Sequence, residues 1–363
     1  MNLDPDSRRN NFDFLRFVFA SLVLLYHCFP LLRGAQASGT AARWAEQAGG
    51  SAVDCFFVIS GFLVTASWLR APQVGPFLKK RALRIYPGFL LASFFCAFII
   101  GPLGADDIAV YWRGFHVLKF VVYLFLLPAD VVGPDRAGLF AHQPYPGVLD
   151  GSFWTLRYEF EMYLLVAAFG LVGLYRPRAR LMIALLFALL YLVYAASSLT
   201  SWLVVPYQEY AWAGNPARWL RLLVCFLSGM TVCLWRDRLP FSRLGLGVAL
   251  GVLGLASLTG TGLNAALPLF GSYALFYAAF SPRLRLQGFA RYGDFSYGVY
   301  LFAFPVQQLL VHDFGAHLTP GRLFLTAFPL TLACAALSWH LVEKPALSWK
   351  RATRLPGDAG RDA

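Results

Sequence analysis

Charge is what this chain has least of. Charged residues fill 14% of its 363 positions, against about 25% in soluble domains. A soluble fold of this length could not cover the accompanying 58% of hydrophobic residues, among them 33 Phe, 17 Tyr and 10 Trp. There is also no GxSxG, HExxH or P-loop pattern, which removes nucleophile-elbow hydrolases, helical zinc proteases and Walker-type nucleotide hydrolases. The six cysteines are Cys28, Cys55, Cys96, Cys225, Cys233 and Cys334. All lie in or beside apolar runs, without CxxC or alternation with histidine at metal spacing. They read as small hydrophobes of helix packing, and no metal site is expected. No small-residue cleavage site follows the first apolar run, so that run reads as a retained helix.

What the chain does have is a series of apolar runs near the length of a bilayer span. They fall at roughly 12–32, 51–70, 84–103, 117–132, 152–174, 181–199, 219–235, 244–260, 263–280, 292–312 and 321–342. The net charge of +12 comes from 31 Lys+Arg against 19 Asp+Glu. Its cations cluster in the short segments between runs: Arg8/Arg9, Lys79–Arg84, Arg176–Arg180, Arg236–Arg243, Arg283–Arg291 and Lys344–Arg354. That pattern belongs to cytoplasmic loops of membrane proteins rather than to nucleic-acid binding. All clusters reach the cytoplasmic side only if the short run 117–132, which contains Pro128, does not cross. The expected fold is therefore an all-α integral membrane protein, a polytopic bundle of about ten transmembrane helices plus one re-entrant or interfacial segment. Both termini are expected in the cytoplasm, in a cell inner membrane. Residues 1–351 form one transmembrane domain and 352–363 a disordered tail. The main outer loops are 104–151 and about 200–218.

Within these runs a few ionisable residues stand at membrane depth, where they are costly and mark functional candidates. The first run carries Asp13, Arg16 and His27. Eleven positions separate Arg16 from His27, which returns to the same helix face about 16 Å further along. Arg16 serves there either as a donor-binding cation or as a surface anchor paired with Asp13. His27 serves either as a catalytic base or acyl carrier, or as a packing histidine. The second run reads Asp54-Cys55-Phe56-Phe57-Val58-Ile59-Ser60-Gly61. Asp54 suits orienting a histidine or a solvated helix end, and Ser60-Gly61 suits a polar cavity or close helix packing. Arg81 and Arg84 lie among four cations in six residues, a pattern fit for an anionic phosphate or for lipid headgroups. The run from Ser152 contains Trp154, Arg157, Glu159 and Glu161. Arg157 and Glu161 are one turn apart and can neutralise one another, leaving Glu159 without an evident local partner. With ten crossings, Glu159 and His27 fall at similar depth near the outer side, and a His–carboxylate pair is a general-base unit. Late in the chain, Ser296, Tyr297, Tyr300, Gln307 and Gln308 suit either a polar cavity or interhelical hydrogen bonds. Glu343-Lys344-Pro345 reads as a charged helix end.

In this order, the motifs resemble the acyltransferase 3 family of membrane acyltransferases. The resemblance rests on Arg16-x10-His27 after Asp13, Asp54-x-Phe56-Phe57-x-x-Ser60-Gly61, and Arg81-x-x-Arg84 followed by Pro87. Trp154-Thr155-Leu156-x-x-Glu159, Ser296-Tyr297-x-x-Tyr300-Leu301 and Glu343-Lys344-Pro345 complete it. It implies O-acylation, usually O-acetylation, of a carbohydrate-like hydroxyl. Acetyl-CoA or another acyl-CoA is then the donor substrate, and no cofactor is permanently bound. It implies His27 as the catalytic residue, with the Arg81–Arg84 region on the donor side. Expected partners are acyl-CoA, a glycan or lipid-linked saccharide acceptor and membrane lipids; the chain acts either alone or with a separate periplasmic protein that completes transfer. Many relatives carry a histidine two residues after the late Tyr-Leu, where this chain has Ala303. The rival expectation is a non-enzymatic polysaccharide or lipid exporter with a polar intramembrane path; such proteins often carry inverted repeats, and no clear repeat is evident here.

Overall fold

The computed structural model describes residues 10–34, 37–127, 138–199, 214–284 and 286–352. Among them there is no strand, only an isolated bridge between Ala105 and Leu139. Where described, the apolar runs are mostly helical. α1 is Phe12–Arg33, α2 Thr40–Arg70 and α3 Val74–Leu103. α4 is Ile108–Arg113, α5 Val117–Leu126, α6 Trp154–Leu171, α7 Arg180–Leu199 and α8 Pro216–Trp235. α9 is Arg243–Ser257, and α10 covers 262–279 through a π turn at Leu267–Gly271. α11 is Ser296–Phe314, α12 Pro320–Ser338, and a π turn at Trp339–Glu343 leads into α13, Lys344–Ala352.

Among the described residues, six helical spans are long and apolar enough to cross a membrane: α1, α2, α3, α7, α8 and Pro320–Ser348. The expected count of about ten exceeds these six by the runs of α6, α9, α10 and α11, and for the first three the reason is plain. α6 carries Arg157, Glu159 and Glu161 in its 18 residues, and α9 has only 15 residues. α10 is interrupted by its π turn. In the run expected at 117–132, helix covers Val117–Leu126, about 15 Å of a hydrocarbon core about 30 Å thick. Residues 128–132 fall outside the described ones, as do most of the expected outer loop 200–218 and nearly all of the tail 352–363.

The chain divides into two compact units. The first comprises residues 1–26, 38–77 and 158–291. Its centre is the crossing of α2 and α8, where glycines let two backbones meet. A Cβ on Gly61 would stand 2.0 Å from the Phe226 carbonyl oxygen, and one on Gly229 1.9 Å from that of Val58. Without an apolar drive between helices in lipid, such close approach is what van der Waals cohesion requires. Phe12, Phe62, Phe276 and Phe280 interlock around it at centroid distances of 4.9–6.3 Å. Asn11 ties the start of α1 to the end of α10. Its Nδ2 donates to the Ala278 carbonyl at 3.1 Å, and its Oδ1 accepts from the Leu286 amide at 3.2 Å. We expect Gly229→Leu to remove most folded protein, because a leucine there meets backbone and cannot be relieved by a rotamer change. The ratio of monodisperse to aggregated protein after detergent extraction checks this, and wild-type recovery would contradict the crossing.

The second unit comprises residues 27–37, 78–157 and 292–363. α11 is its spine and packs on α12 with Gly298 against Ala335. The Tyr111 hydroxyl of α4 donates to the Ala97 carbonyl at 2.7 Å, bracing the short helix on α3. Burial pushes that phenol's pKa up, so it remains a donor.

Candidate active site

Of the residues singled out in the sequence, His27, Arg81, Arg84, Trp154, Tyr297 and Tyr300 fall in the second unit, and Arg16, Asp54, Ser60 and Glu159 in the first. In the second unit the side chains are organised by one face of α11. Tyr297, Tyr300, Phe304 and Gln307 recur at helical spacing, and each meets a different part of the unit.

At the start of that face, the Arg84 guanidinium lies over the Tyr297 ring, 5.6 Å from its centroid. Its Nη2 is 2.6 Å from Asp294 Oδ2. Asp294 Oδ1 also accepts from the Ser296 hydroxyl at 2.5 Å, and the Tyr297 hydroxyl donates to the Ile85 carbonyl at 2.8 Å. Arg81 stands one turn before Arg84 on α3 and is half-buried. Glu343, expected as a charged helix end, is instead buried within the helix, and its Oε1 accepts from the Ser338 hydroxyl at 2.8 Å. The correction follows from the π turn Trp339–Glu343, which carries the helix through this point rather than ending it.

One turn further along α11, Tyr300 donates to the Ser152 carbonyl at 2.8 Å and shares a 2.7 Å hydrogen bond with the Thr155 hydroxyl. Asp150 Oδ1 accepts from the Ser152 amide and from its hydroxyl, both at 2.6 Å. All four residues are buried. This fixes the entry into α6, with Trp154 as its first residue, half-buried. Asp150 was not singled out in the sequence. Its signal is there, since Asp-Gly-Ser just before a helix is an Asx-turn pattern.

Next on the face is Phe304, and His27 packs edge-to-face against it at 5.1 Å between centroids. His27 is buried, at 8% exposure. Tyr145 reaches the same Phe304 ring at 6.0 Å. Gly151 passes so close that a Cβ would lie 2.6 Å from the ring. His27 therefore sits where the loop 143–151 comes down onto α11. Gln308 latches that loop, its Nε2 donating to the carbonyls of Tyr145 at 3.0 Å and Val148 at 2.9 Å. Gln307 Nε2 donates to Cys28 Sγ at 2.9 Å, so this cysteine is a hydrogen-bonded packing group. Tyr297 and Phe304 are seven residues apart, which sets His27 about 10 Å along α11 from Arg84.

In the first unit, Asp54 is buried at 1% exposure and is held by Arg221 of α8. Arg221 Nε is 2.7 Å from Oδ1 and Nη2 is 3.0 Å from Oδ2, while Nη2 also donates to the Gly50 carbonyl at 2.8 Å. Asp54 is thus not a solvated helix end. Its bidentate arginine pairing is strong and directional. Glu159 does have a local partner, because the Tyr163 hydroxyl one turn on donates to its Oε1. Arg16 pairs with Asp13 one turn before it. Ser60 is half-buried beside the Gly61 crossing. Among the described residues, no group of three or more His, Cys, Asp or Glu is placed to hold a metal ion.

Comparison with known proteins bears on what this arrangement does. A family model described as an acyltransferase domain matches residues 9–340. An O-acetyl transferase of Shigella phage Sf6 is 30% identical over 93% of this chain and 96% of its own length. Nodulation protein 10 of Rhizobium leguminosarum bv. viciae is 28% identical over 95% of each chain. No solved structure matches.

Proposed function

Since the chain belongs to the acyltransferase 3 family, we propose that it is a multi-pass membrane O-acyltransferase moving an acetyl group from acyl-CoA to a hydroxyl of a surface or exported glycan. The observation that carries this reading is the placement of His27 on the α11 face that begins at Arg84. A donor whose phosphates rest near Arg81 and Arg84 needs an arm spanning about 10 Å to bring its thioester to His27, and the pantetheine arm of coenzyme A is long enough. The relative named as an O-acetyl transferase supports acetyl as the acyl group.

In the proposed reaction the His27 imidazole takes the proton of the acceptor hydroxyl. The oxygen attacks the thioester carbonyl, the C–S bond breaks, and the imidazolium returns its proton to the leaving thiolate. Tyr300, Thr155 and Ser152 hold the start of α6 beside this path, and the apolar wall of Phe304 limits water. Arg81 and Arg84 act on the donor by charge-assisted hydrogen bonds to phosphate, with Arg84 oriented by Asp294 and Tyr297. The donor side is proposed to be the cytoplasm and the membrane the inner one, from the distribution of basic loops.

Arg81→Ala/Arg84→Ala is expected to raise the KM for acetyl-CoA about tenfold or more, since each charge-assisted contact contributes about 1.5–3 kcal/mol. Initial rates against acetyl-CoA in membranes with matched protein amounts check this. An unchanged KM would contradict donor binding at these arginines.

A further inference from the structure

A further group of residues, none of them used in the proposed reaction, lies wholly within the first unit. They line a groove of about 820 Å³ between α1, α2, α9 and α10, within the size range of small-molecule sites. From α9 it takes Arg243, Leu246, Leu250 and Leu253, one helix face. From α10 it takes Leu267, Gly271, Ala274 and Ala278, again one face, where the small residues make the trough. It is open outward, where Leu250 is 54% and Leu284 42% exposed.

Two charged residues line it, Arg243 and Arg283. Arg243 is the first residue of α9 and Arg283 follows the end of α10, so the antiparallel pair brings both to the same end. That end lies at an α-helix N-terminus, where an anion is favoured. The two charges that line it are both positive. Between Arg238 and Tyr292 the chain carries five arginines counting Arg238 itself, and no Asp or Glu. Asp13 at the start of α1 is itself paired with Arg16. Arg243 to Leu253 is ten residues, about 15 Å, or half the hydrocarbon core. The groove is therefore one leaflet deep, apolar along its length and cationic at one end.

We propose that this groove binds one anionic phospholipid of the adjoining leaflet, an acyl tail lying along α9 and α10 and its phosphate between Arg243 and Arg283. The complementarity is of charge at one end and of leaflet-length apolar contact along the rest. Native mass spectrometry of the full chain released from mixed vesicles of phosphatidylglycerol and phosphatidylcholine tests it. Wild type should retain phosphatidylglycerol in preference to phosphatidylcholine. Arg243→Gln/Arg283→Gln should lower that retention roughly 30-fold, at the usual contribution of an arginine near an anionic surface. Ala274→Phe, which fills the trough and leaves both charges, should lower it as well. Equal retention of the two lipids by wild type would overturn the proposal, as would wild-type retention by both variants. Preferential retention of an isoprenoid monophosphate added to the same vesicles would overturn it too, by assigning the groove to a different lipid. Because none of its residues serves acyl transfer, loss of the proposed activity would leave this result standing.

Discussion

Arg221→Leu is expected to leave little folded protein, whereas Asp54→Leu/Arg221→Leu is expected to restore it. Asp54 is fully buried and both of its carboxylate oxygens are taken by the Arg221 guanidinium. Removing one partner of such a pair strands a charge in a medium that cannot solvate it, a loss of about 3–5 kcal/mol. Replacing both with apolar groups removes the stranded charge together with its desolvation, and such replacements are often neutral. The recovery of monodisperse protein in the two variants checks the prediction. The refolded double variant then separates two roles of Asp54. If Asp54 acts only by joining α2 to α8, the double variant transfers acyl groups at a rate near wild type. If it transfers little while folding well, Asp54 contributes to chemistry as well.

The largest effect on activity is expected at His27. His27→Ala and His27→Gln should each lower acyl transfer about 100- to 10,000-fold, the usual contribution of a positioned general base. The glutamine variant matters most, because it keeps a polar side chain against Phe304 and removes only the capacity to take a proton. Folded protein should be recovered in normal amounts in both. A glutamine variant with wild-type turnover would assign His27 to packing, and one that fails to fold would assign it to structure.

Much of the helical framework was legible from hydropathy, because spans near 20 apolar residues leave few other solutions in a bilayer. α1 begins within a residue of its apolar run, but α2 starts at Thr40, eleven residues before its run. That first stretch, Thr40-Ala-Ala-Arg-Trp-Ala-Glu-Gln, is a good helix former yet too polar for a hydropathy window to include. The π turn at Leu267–Gly271 left no mark in the apolar pattern, although Pro268 within it did signal a departure from regular hydrogen bonding.

The site was legible in its residue types and less so in its pairings. Arg16, His27, Arg84 and Tyr300 drew notice because polar groups are costly at membrane depth. Which groups satisfy them depends on tertiary packing. Arg221 lies 167 positions from Asp54, and no local pattern joins them. Asp294, 210 positions from Arg84, is the same case. Tyr163 differs, since it stands one turn from Glu159 and was within reach of sequence reasoning. Looking only for opposite charge overlooks it, because a neutral hydroxyl also satisfies a carboxylate. Ala303, where the late motif departs from the pattern it resembles, is buried within α11.

The most direct test of the central claim uses purified protein in liposomes, radiolabelled acetyl-CoA and extracted surface glycans of the source cells. Free thiol and glycan O-acetyl ester are measured together. The two are expected to form in equal amounts with wild type, and both are expected to be lost with His27→Gln. Thiol and ester formed undiminished by the His27→Gln variant, or glycan acetylated with no acetyl-CoA consumed, would contradict it.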